Sequence, residues 1–305
     1  MLSLNEQTRN SNVISEFPTP ARSWAVLSRV PRPSEWVIIL YFTYTALMTV
    51  SFGLSPARRA LGFAVPIVLW LLAYAQTQRP QPWSGVLRDW LPALLVLLAY
   101  WQVDWFHGPA HLYDYEQSWL QLDRTVLHSW GLKALIESAG PMGPAILEFC
   151  YGLLYSIPPL CIGLLYLFRR RSRIDQFLFV FLLGTFAAYG LLPHFPSNSP
   201  RLEFPGMDLP SWMTSLRRIN IWLLNHGDIQ TSVFPSGHVA TAFSSAFGMI
   251  WVLPERPWVG RALLLLATLI ATATIYGRYH YLADALASLA LSAAAIAFSW
   301  AVRND

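Results

Sequence analysis

Apolar residues in this chain fall into eight long runs, near 36–53, 60–77, 90–106, 145–168, 175–193, 234–253, 262–277 and 283–301, with polar stretches between them. A helix needs about 20 predominantly apolar residues to cross the hydrocarbon core of a bilayer, so each run predicts a membrane span. The pattern predicts an all-α, polytopic transmembrane helical bundle with no internal repeat. Two longer segments interrupt it. Residues 107–144 hold a helix-like stretch from Glu116 to Glu137 with scattered charges and two tryptophans, Trp119 and Trp130, which predicts an interfacial helix near 116–137. Residues 194–233 are rich in Pro, Ser and polar groups, with a short amphipathic piece near Ser211–Asn225. The chain thus divides into a polar tail (1–35), a set of additional N-terminal spans with the interfacial segment (36–144), and a helical core (145–301).

Composition agrees. Of 305 residues, 54% are hydrophobic and 12% charged, about half the share a soluble protein carries. That is too little to wet a globule of this size, and it excludes a soluble enzyme, a nucleic-acid-binding module and a disordered tail. The net charge of +4 points to no nucleic acid either, because the basic residues sit in loops between apolar runs. Their distribution predicts orientation. The strongest anchor, Arg169-Arg170-Arg171-Ser172-Arg173, belongs on the cytoplasmic side. Eight spans then place the N-terminal tail, the 78–89 loop, Arg256, Arg261 and Arg303 there too, collecting 13 of the 21 Lys and Arg residues. The tail lacks the short apolar core and cleavage site of a signal peptide and reads as retained and cytoplasmic. Cys150 and Cys161 fall eleven residues apart in one predicted span, more than about 15 Å along a straight helix, so they do not pair. No C-x-x-C implies zinc or redox chemistry.

Polar residues with catalytic potential gather on the side opposite the arginine anchor. Phe234-Pro235-Ser236-Gly237-His238 opens a span. Pro and Ser suit a helix start, the free N–H groups of a helix N-terminus attract anions, and a neighbouring His can protonate a leaving oxygen. The plain structural alternative is a capped helix with an interfacial His. Tyr276-Gly277-Arg278-Tyr279-His280-Tyr281-Leu282-Ala283-Asp284 sets His280 and Asp284 four apart, on one face of a helix. Asp can hold one imidazole N–H and leave the other nitrogen free as a nucleophile or base. An acid here is costly in lipid unless paired, so a structural His–Asp pair is the alternative. Pro193-His194-Phe195-Pro196-Ser197-Asn198-Ser199-Pro200-Arg201 ends a span with an arginine able to grip phosphate. His107 and His111 lack the glutamate of a zinc-protease helix, and Gly108-Pro109 breaks their spacing. His128, His194 and His226 read as interfacial or loop residues, and Asp104, Asp114, Glu116 and Asp123 as solvated loop charge.

Together, and in this order, the three elements resemble the type 2 phosphatidate phosphatase superfamily of membrane lipid phosphatases and phosphotransferases. Its Pro-Ser-Gly-His motif stands intact at 235–238, and its His followed four residues later by Asp is matched by His280 and Asp284. Where the family pattern has Arg six residues before that His, this chain has Thr274, with Arg278 two before it. The family's Lys-x6-Arg-Pro motif is absent. Pro200-Arg201 and the Arg-x-His-Tyr-x-x-Asp of 278–284 look like the inositol phosphorylceramide synthase branch. The resemblance covers about 145–301 and makes that segment a phosphatase- or phosphotransferase-like catalytic core. It implies a phosphohistidine on His280, oriented by Asp284, with His238 protonating the departing alkoxide. Arg201, Arg278, Ser236 and Gly237 would bind phosphate, and neither metal nor other cofactor is implied. The expected substrate is a membrane lipid phosphoester and the expected acceptor water, a polyol or a lipid hydroxyl. The expected setting is a bacterial-type inner membrane, with the site on the non-cytoplasmic face. The reading leans to head-group transfer, with lipid phosphate hydrolysis as its alternative. A proton-coupled lipid transporter is the reading from another class, disfavoured by polar residues gathered at one face rather than at midplane. A non-catalytic scaffold would leave three matching motif elements unexplained.

Overall fold

The computed structural model describes residues 31–78, 82–106, 115–229 and 231–304, which leaves out most of the tail and the pair His107 and His111. All regular structure among the described residues is helical. Helices α1 (Pro33–Ser51), α2 (Pro56–Gln78) and α3 (Pro82–Val103) each begin on a proline, whose missing N–H costs nothing in a first turn. The expected interfacial helix is two helices in series, α4 (Tyr115–Arg124) and α5 (Leu132–Glu137). A π turn over Thr125–Ser129 and Gly131, at φ 73°, separate them. The run 145–168 is likewise two pieces, α6 (Met142–Gly152) and α7 (Ile157–Leu167), joined by a 3-10 turn over Leu153–Ser156. Pro158 and Pro159 withdraw two consecutive N–H donors there, so the α-helical ladder is interrupted. Then follow α8 (Ile174–Leu191), α9 (Ser215–Gly227), α10 (Gly237–Val252), α11 (Pro257–Tyr276) and α12 (Leu282–Asn304). Cys150 and Cys161 are both buried and free.

Among the described residues, six helical segments are long and apolar enough to cross a membrane, as a multi-pass membrane protein requires: Pro56–Ala75, Trp83–Val103, Met142–Leu167, Arg171–His194, Pro257–Tyr276 and Leu282–Val302. The other two expected runs are the helices α1 and α10. The latter has 16 residues and sits inside the bundle, packed against α8, α11 and α12. Val239, Ala240, Ala246 and Met249 on α10 are fully buried. Small residues let the neighbours approach closely: Gly184 of α8 lies so near α10 that a Cβ there would fall 2.0 Å from Ser244 Oγ. Polar groups at this depth need internal partners, and α12 supplies several of them. Ser288 Oγ donates to Ser236 O (2.8 Å), Ser292 Oγ to Ala240 O (3.2 Å), and Ser244 Oγ to Ser292 Oγ (2.9 Å).

The bundle has two chemically distinct ends. At one, Arg32 and Arg171 converge on Asp89 at 2.6 and 2.8 Å. Arg173 donates to Val252 O at 2.7 Å and pairs with Glu255 at 2.9 Å. From this arginine end α8 leads to the opposite end, about 27 Å away at 1.5 Å per residue, and α10 leads back. The opposite end is where the start of α10, the α11–α12 turn and the 195–233 segment meet.

Candidate active site

His280 lies in the turn before α12 rather than on the helix, with Asp284 in the first turn. Its Nδ1 faces two acceptors, Val233 O at 3.0 Å and Asp284 Oδ2 at 3.2 Å. Nδ1 therefore carries the proton, and Nε2 presents a lone pair. That lone pair faces His238 Nδ1 at 3.4 Å, and His238 Nε2 faces the Tyr151 hydroxyl at 3.2 Å. One assignment satisfies every contact: Tyr151 donates to His238, His238 to His280, and His280 to Asp284. Asp284 Oδ2 also accepts the Tyr281 N–H at 3.0 Å, which fixes the carboxylate. Both histidines are 7% exposed.

Beside them Arg278 is fully buried. Its Nη1 donates to Asp123 Oδ2 at 2.7 Å, whereas Nε and Nη2 have no hydrogen-bond partner among the described residues. Two unengaged donors on a desolvated cation form a fork of the kind that binds phosphate oxygens. Arg278 stands at φ 64°, a left-handed conformation costing about 1 kcal/mol or more for a non-glycine residue, and its neighbours hold it there. Asp123 also accepts the Leu282 N–H at 2.8 Å, while Arg278 O accepts the Arg201 N–H at 3.1 Å. The Arg201 guanidinium donates to Asn225 at 2.9 Å.

Ser236 caps α10 by accepting the Val239 N–H at 3.3 Å, so its hydroxyl is engaged in starting the helix. Gly237 follows because a Cβ there would fall 2.6 Å from Tyr189 Cε1. The turn carrying Arg278 and His280 rests on a buried network. Glu148 of α6 accepts from Arg217 of α9 (2.8 Å), Asn220 (2.7 Å) and the Tyr279 hydroxyl (2.8 Å), and Arg217 also donates to Gly277 O at 3.1 Å. From above, Trp119 of α4 stacks on Phe234 at 5.1 Å between ring centroids and packs against Tyr281 at 5.4 Å.

The seven expected site residues thus meet at one end of the bundle: His238, His280, Asp284 and Arg278 in one cluster, Ser236 and Gly237 at the head of α10, and Arg201 joined through its backbone N–H. His194 and His226 have other partners, Tyr44 at 2.6 Å and Trp222 O at 2.8 Å. The reading of Asp123 and Glu116 as solvated charge is corrected, because both are buried. They share a face of α4 with Leu120. Two acids at helical spacing with a leucine are the sequence signal that their face turns inward. Glu148, the one charged residue in the run 145–168, is a signal of the same kind, since an acid in a span is costly unless paired, whereas Tyr151 looks like any other residue of that run.

The family model described as PAP2 superfamily matches residues 118–298, more than half of the chain. The chain is also 31% identical over 124 residues to a protein of Dictyostelium discoideum described as a PA-phosphatase related-family protein, an alignment covering 39% of this chain and 22% of that one. This chain therefore matches only about a fifth of that relative's length. No solved structure matches.

Proposed function

The chain belongs to the PAP2 superfamily, and from that premise we propose that it cleaves a lipid phosphoester through a phosphohistidine formed on His280. The observation that carries this reading is the His280 imidazole, its Nδ1 bound to Asp284 and Val233 and its Nε2 lone pair facing His238, two residues from a buried Arg278 whose Nε and Nη2 lack a partner among the described residues. Nε2 attacks phosphorus and the bond to the leaving oxygen breaks. His238, protonated to the imidazolium as the anionic substrate binds, gives that oxygen a proton and becomes neutral, while Asp284 stays ionised and stabilises the imidazolium of His280. Arg278, Arg201 and the N–H groups at the head of α10 neutralise the phosphoryl oxygens as charge builds on them. An attacking nitrogen approaches phosphorus at about 3–3.5 Å. A phosphoryl group therefore cannot fit within the 3.4 Å His238–His280 contact, and substrate binding parts the two rings. In the second half-reaction a hydroxyl attacks the phosphohistidine, His238 takes its proton, and His280 is released.

Whether that hydroxyl is water or an alcohol decides between hydrolysis and transfer. The Arg278 to Asp284 spacing and Pro200-Arg201, which resemble the inositol phosphorylceramide synthase branch, favour transfer. The name of the Dictyostelium relative favours hydrolysis. We propose transfer, on the non-cytoplasmic face. A well-placed acceptor has an effective concentration of about 10⁵ M or more, enough to outcompete water. The test gives purified protein lipid phosphoesters with and without added inositol, glycerol or ceramide. Acid-labile phosphoenzyme and product should appear with the wild type and vanish in His280→Ala. New lipid that scales with acceptor supports transfer. Free phosphate at one rate, whatever the acceptor, overturns it.

A further inference from the structure

Next to His238 the bundle holds a half-open cavity of about 350 Å³. One wall is α3, through Trp90, Leu94, Leu97 and Tyr100, and the other includes Leu154 and Pro158 at the α6–α7 junction. Tyr100, Tyr155, Tyr189, Thr241 and His238 are its polar lining residues, and most of the rest is leucine, proline, valine and tryptophan. It reaches the phosphate site on one side only. His238 and Gly237 line it; His280, Arg278 and Arg201 do not.

Resting on the reaction proposed above, we infer that this slot binds the hydrocarbon chain of the leaving alcohol, and that α3 sets the length of chain accepted. A polyol head group would lose hydrogen bonds to water against leucine and proline, at a cost of about 1–3 kcal/mol per unmatched group, whereas a hydrocarbon chain gains from the same walls. The volume lies at the low end of ligand sites, which run from about 300 to 1,000 Å³, and suits one chain. Because the slot ends on the proton donor, the chain-bearing oxygen is the one His238 protonates. The bond between phosphorus and that oxygen breaks, its electron pair stays on oxygen, and the proton from His238 makes the free lipid alcohol. Phosphorus, with any head group, remains on His280 Nε2. The wall at 90–100 lies outside the residues 118–298 that match the family model.

The test measures kcat/KM for butyl, octyl and dodecyl phosphate with the full-length protein in detergent. Each methylene taken into the slot should raise kcat/KM up to about fourfold, ~0.8 kcal/mol, until the slot is full. Leu97→Trp, which fills it, should lower the dodecyl-to-butyl ratio about tenfold or more. A wild-type rate that ignores chain length, or a ratio unmoved in Leu97→Trp, overturns the slot while leaving the reaction standing. With dioctanoyl phosphatidylglycerol the first product should be dioctanoylglycerol; phosphatidic acid would overturn the assignment of the leaving side. If the wild type turns over none of these esters, the proposed reaction has failed, and the slot is read by a dodecyl phosphonate carrying a photoreactive terminal group. Crosslinking within 90–100, lost in Leu97→Trp, supports the slot; crosslinking elsewhere overturns it.

Discussion

The Asp123 carboxylate neutralises a guanidinium with no exposed surface, and burial pushes its own carboxyl up to about 6, against the Leu282 N–H and Arg278, which both favour the ionised form. That value lies above the roughly 3.9 of an unfolded aspartate, so its contribution to stability is fully present below about pH 4 and is lost as the pH rises through 6. Activity should run the other way, because holding Arg278 in place requires the ionised form. The ratio of wild-type to Asp123→Asn rates should therefore fall as the pH drops from 7.5 to 5, and a ratio independent of pH would refute the role. Tyr151→Phe removes the hydroxyl that fixes the proton of His238. It should slow turnover of alkyl phosphates about three- to tenfold, the worth of one hydrogen bond. It should scarcely affect p-nitrophenyl phosphate, whose leaving group needs no proton, and equal losses on both would show a structural role only. His238, His280 and Asp284 were legible in the sequence because each sits in a short local motif, Pro235–His238 or His280–Asp284. Asp123 and Tyr151 were not, because Asp123 finds Arg278 155 residues away and Tyr151 finds His238 at a separation of 87.

Each apolar run expected of the sequence corresponds to helix, since length and composition suffice to mark one. The breaks were harder to read. The 145–168 run carries its break in Pro158-Pro159, which a pattern of apolar residues alone does not register, and the helix expected through 137 did not reveal the π turn. The amphipathic piece near Ser211–Asn225 is α9, whose inward face carries Arg217, Asn220 and Leu224; the period was readable, the pairing of two of those residues with Glu148 was not. Glu148→Ala would leave Arg217 buried and unpaired, which costs about 3–5 kcal/mol, so thermal unfolding should occur at a markedly lower temperature. An unchanged midpoint would mean that the pair contributes nothing to stability. Gly184→Ala would press on Ser244 and force α8 and α10 apart, for about 1–3 kcal/mol, with activity falling because α10 carries His238. Full activity with unchanged stability would show that the seam tolerates the shift.

Across the whole molecule, the arginine cluster and the histidine cluster occupy opposite ends. With Cys150 and Cys161 replaced, a cysteine at the exposed Met213 should react with an impermeant thiol reagent applied to intact cells. One at Ser172 should react only after the membrane is opened, and the reverse pattern would invert the proposed orientation. The enclosed position of α10 bears on how the protein is made. This helix leaves the ribosome before α11 and α12, and its 16 residues extend about 24 Å, short of the ~30 Å hydrocarbon layer. Until Ser288 and Ser292 of α12 arrive, Ser244 and the carbonyls of Ser236 and Ala240 lack the partners they have in the finished bundle, and His238 lacks its contact with His280. The helix carrying His238 therefore settles only once the last span has been synthesised, so catalytic competence comes at the end of biogenesis, and a chain stopped after Arg261 should be cleared by membrane proteases rather than accumulate as an inactive enzyme.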